Sequence, residues 1–384
     1  MKVVGYSYPW DYLGDPAAAQ RAAALNLGVV ALAGQYHASR VVSPLHPLHR
    51  VVEIPHSACY VPVRAEAWRG HRLVPSEPAW LESSNTFADA QKSLAQVGVD
   101  VEAWIVLTHH DELGQANPDL VVRNAFGDRY SYALCPRAPY VLEYCLTLVE
   151  EIVSSANCRG VVLEACGPMG VSHTGVHDKS EFGSWSAASK ELLSLCFCRE
   201  CENGLQERGI DVDELSRRTR TGIDANVDSP EEALGEQLAE QVANFRASIA
   251  TRLRESLVER VRALQPDATI TLHAAAGRWA SGSFPTVGSG ASLQQVTTVV
   301  ANCWDDATGE AEVRSLAELS GATTNVGAYV RLDSGWSSDD VVEERITRYA
   351  TAGMSEVHLY HLGLLSSTGL QAAQRVVAAC HRYP

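Results

Sequence analysis

The sequence predicts an α/β fold in which eight parallel strands close into a (β/α)8 TIM barrel, and three observations carry that prediction. Eight short apolar runs recur along the 384 residues, most of them separated by stretches with helical periodicity. The fourth run, Val161 to Leu163, reads as a strand buried on both faces, as in a parallel sheet covered by helices. After the first strand the chain reads GYSYPWDYLG, without the glycine fingerprint that opens the nucleotide-binding form of an open doubly wound sheet.

The first strand is Lys2 to Tyr8, followed by Gly14, Asp15 and Pro16 and an alanine-rich helix, PAAAQRAAALN. GVVALAG is the second strand. It leads into a segment from Gln35 to Ser83 that is too long for an ordinary loop and contains a further strand candidate, HRVVEI. A helix over Thr86 to Val97 precedes strand three, VEAWIVLTHH. An amphipathic helix, APYVLEYCLTLVEEIV, precedes strand four, GVVLE. Ser229, Pro230 and Glu232 form a capping-box signature at the head of the longest helix, whose stripe from Leu234 to Leu264 makes a core-facing wall. Beyond Pro266 follow TITLHAA, VTTVVANCW, a helix near Glu310 to Leu319, TTNVGAYVRL, a helix near Asp339 to Ala352, EVHLYHL and a closing helix. Residues 1–384 thus read as a single barrel domain with long insertions after strands two and four, the latter a helical and loop insertion over 171–228.

A formal charge of −15 argues against a nucleic-acid partner. No apolar run reaches the length needed to cross a bilayer. The start, MKVVGYSYPW, lacks the charged head, apolar stretch and cleavage site of a secretory leader, which points to the cytoplasm and to ten mostly reduced cysteines.

In such a barrel the active site forms where the C-terminal ends of the strands meet. Glu164 ends strand four at the edge of a Gly/Pro-rich loop, and burial there raises a carboxyl's pKa, which suits a proton donor. Tyr36 and His37, His109 and His110, His273, Asp305 and Asp306, Asp333, and Tyr360 with His361 end other strands. A histidine at a strand end is often structural, and an aspartate there is often the N-cap of the next helix. Trp10, Trp185, Trp279, Trp304 and Trp336, out of eight tryptophans, follow strand ends, as stacking platforms for a sugar-like ligand would. His173 and His177, in the loop after Glu164, are expected to contact substrate.

Cys196, Cys198 and Cys201 can converge only if a helix breaks, which Glu202, Asn203 and Gly204 permit. A structural zinc site with Cys166 or Cys135 as fourth ligand is one reading and buried apolar cysteines are the other.

The succession NPDLVVRNAFGD (Asn117 to Asp128), LCP (Leu134 to Pro136), a helix and GVVLE resembles glycoside-hydrolase-like TIM-barrel proteins of bacteria over roughly residues 100 to 205. CFCREC is similar to zinc-binding cysteine clusters after strand four of some β-galactosidase-type barrels. The chain departs from the large retaining-glycosidase clan at Leu163, where Asn is usual, and at Asp333, where a second Glu is usual. The resemblance implies a glycosidase with Glu164 as general acid/base, the cytoplasmic placement then implies a small glycoside as substrate, and no cofactor is expected in catalysis. Asp333, or else Asp305 or Asp306, would then be the nucleophile or the base. Two competing readings are a metal-dependent hydrolase or isomerase using His109, His110, His173 and His177, and a non-catalytic carbohydrate-binding barrel.

Overall fold

The computed structural model describes residues 1–172, 179, 183–288 and 293–383. Strands β1 (Lys2–Ser7), β2 (Val29–Tyr36), β3 (Asp100–Val106), β4 (Gly160–Glu164), β5 (Thr269–His273), β6 (Thr298–Asn302), β7 (Asn325–Arg331) and β8 (Glu356–Tyr360) follow one another around the sheet. Every neighbouring pair is parallel, and β1 pairs with both β2 (Val4 opposite Val29) and β8 (Lys2 opposite Glu356), which closes the barrel. The strands are buried on both faces because one face lines the interior and the other packs under helices.

Helices Ala18–Ala24, Thr86–Ala95, Pro139–Ser155, Glu236–Leu264, Asp306–Ser320, Asp339–Thr351 and Ser367–Arg382 form the outer layer. Among the described residues no helix connects β5 to β6, and no helix is long and apolar enough to cross a membrane.

Two helix boundaries differ from the predicted ones for local reasons. The long helix is interrupted at Gly235, whose positive φ of 75° ends the short helix Pro230–Leu234 before Glu236 restarts the turn. The capping box is half made: Ser229 Oγ accepts from the Glu232 amide at 3.1 Å, but the Glu232 carboxylate accepts from the Asp228 amide instead. The helix after β6 begins at Asp306, four residues before the predicted Glu310, because the Asp305 side chain caps it.

The long segment after β2 carries the predicted strand as Val51–Ile54, paired antiparallel with Ser39–Val42. A second hairpin, Val121–Arg123 with Arg129–Leu134, lies between β3 and β4. After β4 the chain forms helices Ala187–Leu193, Arg199–Gln206 and Val212–Ala225. Their buried side chains, with Phe245 and Ile249 of the long helix and Trp279, make an apolar cluster separate from the barrel's own.

Candidate active site

β4 delivers Glu164 to the mouth of the barrel, and the backbone then turns sharply. Ala165 takes a left-handed conformation (φ 52°), which costs a residue with a Cβ on the order of 1 kcal/mol. The Thr108 hydroxyl holds the turn by donating to the carbonyls of Ala165 (2.8 Å) and Gly167 (2.9 Å).

Glu164 is 6% exposed and lines a cavity of about 560 Å³, within the range of small-molecule sites. Trp104 Nε1 donates to Glu164 Oε2 at 2.8 Å, and His273 Nδ1 lies 3.4 Å from the same oxygen. Burial raises the Glu164 pKa to about 7, against the opposing pull of hydrogen bonds from Trp104 and Ser283.

The walls are mainly aromatic. Tyr8, Tyr36, Trp304, Tyr329 and Tyr360 line the cavity, with His37 and Arg40 from the segment after β2. Burial pushes the phenols of Tyr8, Tyr36 and Tyr329 well above their usual range, so they face the cavity as neutral hydroxyls. Trp304, 38% exposed, stacks over Tyr329 with ring centroids 6.0 Å apart. The Arg40 guanidinium is held by Glu53 at 2.6 Å.

Of the residues singled out in the sequence, the structure brings Glu164, Tyr36, His37, Trp304 and Tyr360 together around the cavity. His173 and His177 lie outside the described residues. Trp10 and His361 sit behind the wall, where both stack on Tyr8, at 4.3 and 3.9 Å between centroids. His273 is buried beneath Glu164 and stacked on Phe284 at 4.5 Å, so it supports the floor without lining it. His109 is buried against His37, and His110 caps the helix Asp111–Ala116 through the Leu113 amide, its pKa pushed down to about 3 by burial.

The other tryptophans are not platforms at this mouth. Trp279 is buried in the second cluster and donates to Glu231 at 3.0 Å, and Trp336 is buried under Arg345. Trp185, 42% exposed, does not line the cavity.

The three aspartates are engaged elsewhere. Asp333 accepts from the Gly335 amide at 2.9 Å and contacts Arg331 at 3.4 Å. Asp305 caps the helix after β6 by accepting from Ala307, and Asp306 is held by Arg348 at 2.7 Å and Arg345 at 3.3 Å. Among the described residues lining the cavity, Glu164 is the one carboxylate.

Inspection of the sequence missed Trp104 and Tyr329. Both stand inside predicted strands, and the available signal was position: Trp104 is two residues from Glu102, on the same face of β3, as Tyr329 is of Gly327 on β7.

The cysteine cluster lies in the second apolar cluster, and its fourth member is Cys135, not Cys166. Cys135 Sγ lies 3.6 Å from Cys201 Sγ, 3.6 Å from Cys198 Sγ and 3.9 Å from Cys196 Sγ. The four sulfurs all fall within 4.8 Å of one another. Cys166 is buried beside the barrel core instead. The helical path breaks in the first half of the motif and not after it: the preceding helix ends at Leu193, Cys196 and Phe197 are non-helical, Cys198 is the N-cap of Arg199–Gln206, and Glu202, Asn203 and Gly204 are helical.

A tetrahedral zinc tetrathiolate with bonds near 2.3 Å has sulfur–sulfur edges of about 3.8 Å, so the cysteines fit that ion. Arg246, 5% exposed, points into the same region and donates to the carbonyls of Ser194 and Trp279, adding a positive charge beside the thiols.

No protein-family model matches the sequence, and a search of curated proteins finds no match. Solved structures do match. The catalytic domain of a β-amylase from Paenibacillus polymyxa superposes with a TM-score of 0.62 at 9% identity, covering 100% of this chain and 99% of that one. The PgaB (BpsB) glycoside hydrolase domain from Bordetella bronchiseptica gives 0.60 at 13% identity, covering 98% and 99%. An α-L-fucosidase isoenzyme from Paenibacillus thiaminolyticus gives 0.60 at 12% identity, where the chain spans 48% of the fucosidase. The chain therefore shares its closed eight-stranded barrel with glycoside hydrolases.

Proposed function

We propose that the protein hydrolyses a small glycoside, with Glu164 protonating the departing glycosidic oxygen. The observation that carries this reading is a single buried carboxyl at the floor of the aromatic cavity, with its pKa raised to about 7. A general acid works best when its pKa lies near the working pH, because it is then both populated and willing to release its proton. The tyrosine hydroxyls around it suit the polar edge of a sugar, and Trp304 suits its apolar face.

The metal-dependent alternative has less support. Among the described residues the group placed to hold a metal ion is the four-cysteine cluster, while His109 and His110 are occupied in packing and capping. We assign that cluster a structural zinc, held by Cys135, Cys196, Cys198 and Cys201, which ties the hairpin after β3 to the helices after β4.

The test is a panel of 4-nitrophenyl glycosides with wild type and Glu164→Gln. Turnover by wild type that disappears in the variant supports the assignment. Undiminished turnover in the variant removes it, and binding without turnover by wild type favours a carbohydrate-binding barrel.

A further inference from the structure

The barrel interior is crossed by a line of polar side chains, where branched apolar residues usually fill such a core. At the end opposite the mouth, Lys2 Nζ lies 3.3 Å from Glu102 and 3.6 Å from Glu356. Glu356 also accepts hydrogen bonds from Thr298 and Asn325, both at 3.1 Å. His358 Nε2 lies 3.4 Å from Glu356, and its Nδ1 is 3.2 Å from the Tyr6 hydroxyl. That hydroxyl is 2.8 Å from His273 Nε2, and His273 Nδ1, which has no hydrogen-bond partner among the described residues, lies 3.4 Å from Glu164 Oε2. Tyr6 and His358 are fully buried and His273 is nearly so. β7 leaves room for the line with Gly327, where a Cβ would stand 2.7 Å from His358 Cδ2.

The Tyr6 hydroxyl carries one proton, so it can donate to only one imidazole while accepting from the other. The direction of every proton in the line is then set by its ends. With His358 as imidazolium and Glu164 as carboxylate, His358 Nδ1–H points to Tyr6, Tyr6 O–H to His273 Nε2, and His273 Nδ1–H to Glu164. With His358 neutral and Glu164 protonated, all three reverse. Both arrangements hold the same number of protons.

We propose that His358, Tyr6 and His273 form a proton relay that resupplies Glu164 from the closed end of the barrel. The proposal rests on the reading of Glu164 as the general acid. Once Glu164 has released its proton to the departing oxygen, its carboxylate takes the proton from His273 Nδ1. His273 Nε2 takes the Tyr6 proton, and the Tyr6 oxygen takes the proton from His358 Nδ1. The separated charges of Glu164 and His358 are neutralised, and no other group gains or loses a proton. Burial keeps His273 neutral, as a pass-through group needs to be. Burial opposes ionisation of Glu356, but His358, Lys2 and Thr298 outweigh it and hold that carboxyl down at about 2, so a carboxylate lies 3.4 Å from His358 Nε2. Lys2, about a third exposed, connects this end to solvent. The relay matters while ligand fills the cavity and blocks the mouth. The three residues act through Glu164 and are positioning residues.

The deciding experiment follows the imidazole titration of His358 by side-chain NMR in the full-length protein. Glu164→Gln is expected to lower its midpoint by on the order of half a pH unit. In a Tyr6→Phe background the same change is expected to leave the midpoint where it was. An equal shift in both backgrounds, or no shift in either, overturns the relay, since direct charge coupling does not need the hydroxyl. His273→Asn serves as a second interruption if Tyr6→Phe does not fold. On a cleaved 4-nitrophenyl glycoside, Tyr6→Phe is expected to lower kcat about tenfold with KM unchanged. An unchanged kcat counts against the relay. If wild type cleaves none of the panel, the glycosidase reading falls and the NMR linkage still decides the relay.

Discussion

Trp104 Nε1 points its proton at Glu164 Oε2 from 2.8 Å, so the floor of the cavity offers the acid a donor that favours its charged form. Burial opposes this and prevails, leaving the carboxyl near pH 7. If Glu164 must be protonated to act, kcat/KM falls as pH rises through about 7. Trp104→Phe removes a bond that lowers the pKa, so the alkaline limb should move upward, by about half to one unit. Glu164→Gln should lose at least about a hundredfold in rate at every pH. Rate profiles on one aryl glycoside check all three.

The same raised pKa makes a prediction about stability that needs no substrate. Glu164 binds its proton more tightly in the folded chain, at about 7, than at its ordinary value of 4.5. Its contribution is fully present below about pH 4.5 and is lost as pH rises through 7. Above that the buried carboxylate destabilises the fold by about 3 kcal/mol. Glu164→Gln, which keeps an acceptor for Trp104, should therefore exceed wild type in denaturant midpoint at pH 8 and match it at pH 4.

Of the five tryptophans singled out in the sequence, Trp304 is the one that lines the cavity among the described residues. Trp304→Ala should raise KM about tenfold, the loss of one stacked ring, with a smaller effect on kcat. Trp185→Ala should leave both within about a factor of two. Equal effects from the two would place the ligand elsewhere.

Metal analysis should find about one zinc per chain. Cys198→Ser should release it and lower the melting temperature, whereas Cys166→Ser should retain it. Release from both would reinstate Cys166 as a ligand.

The barrel was legible because eight short, mainly apolar runs alternate with helices that carry a 3.6-residue stripe, patterns that survive without knowledge of partners. Glu164 was legible for a related reason: a carboxylate ending an apolar strand has few inexpensive explanations. The direction of side chains near strand ends was not. Trp10, Trp279 and Trp336 each follow a strand closely, yet all are buried in packing, because a loop can turn a ring inward as readily as toward the cavity. Asp305 and Asp333 answer to the amide two residues ahead, a local demand that competes with any catalytic role. Cys135 was one of two candidates for the fourth ligand, and only the hairpin after β3, docked to Phe197 through Arg123, decides between them.

Two separate apolar clusters imply two cooperative units within one chain. The cysteines sit in the smaller unit, while Glu164, Trp104 and the polar line beneath them belong to the larger. A chelator should thus open amide exchange across Arg199–Gln206 and Val212–Ala225 long before it reaches β3 or β4. The floor of the cavity would then persist in a molecule whose flank has already melted, a partly folded state with Glu164 still in register.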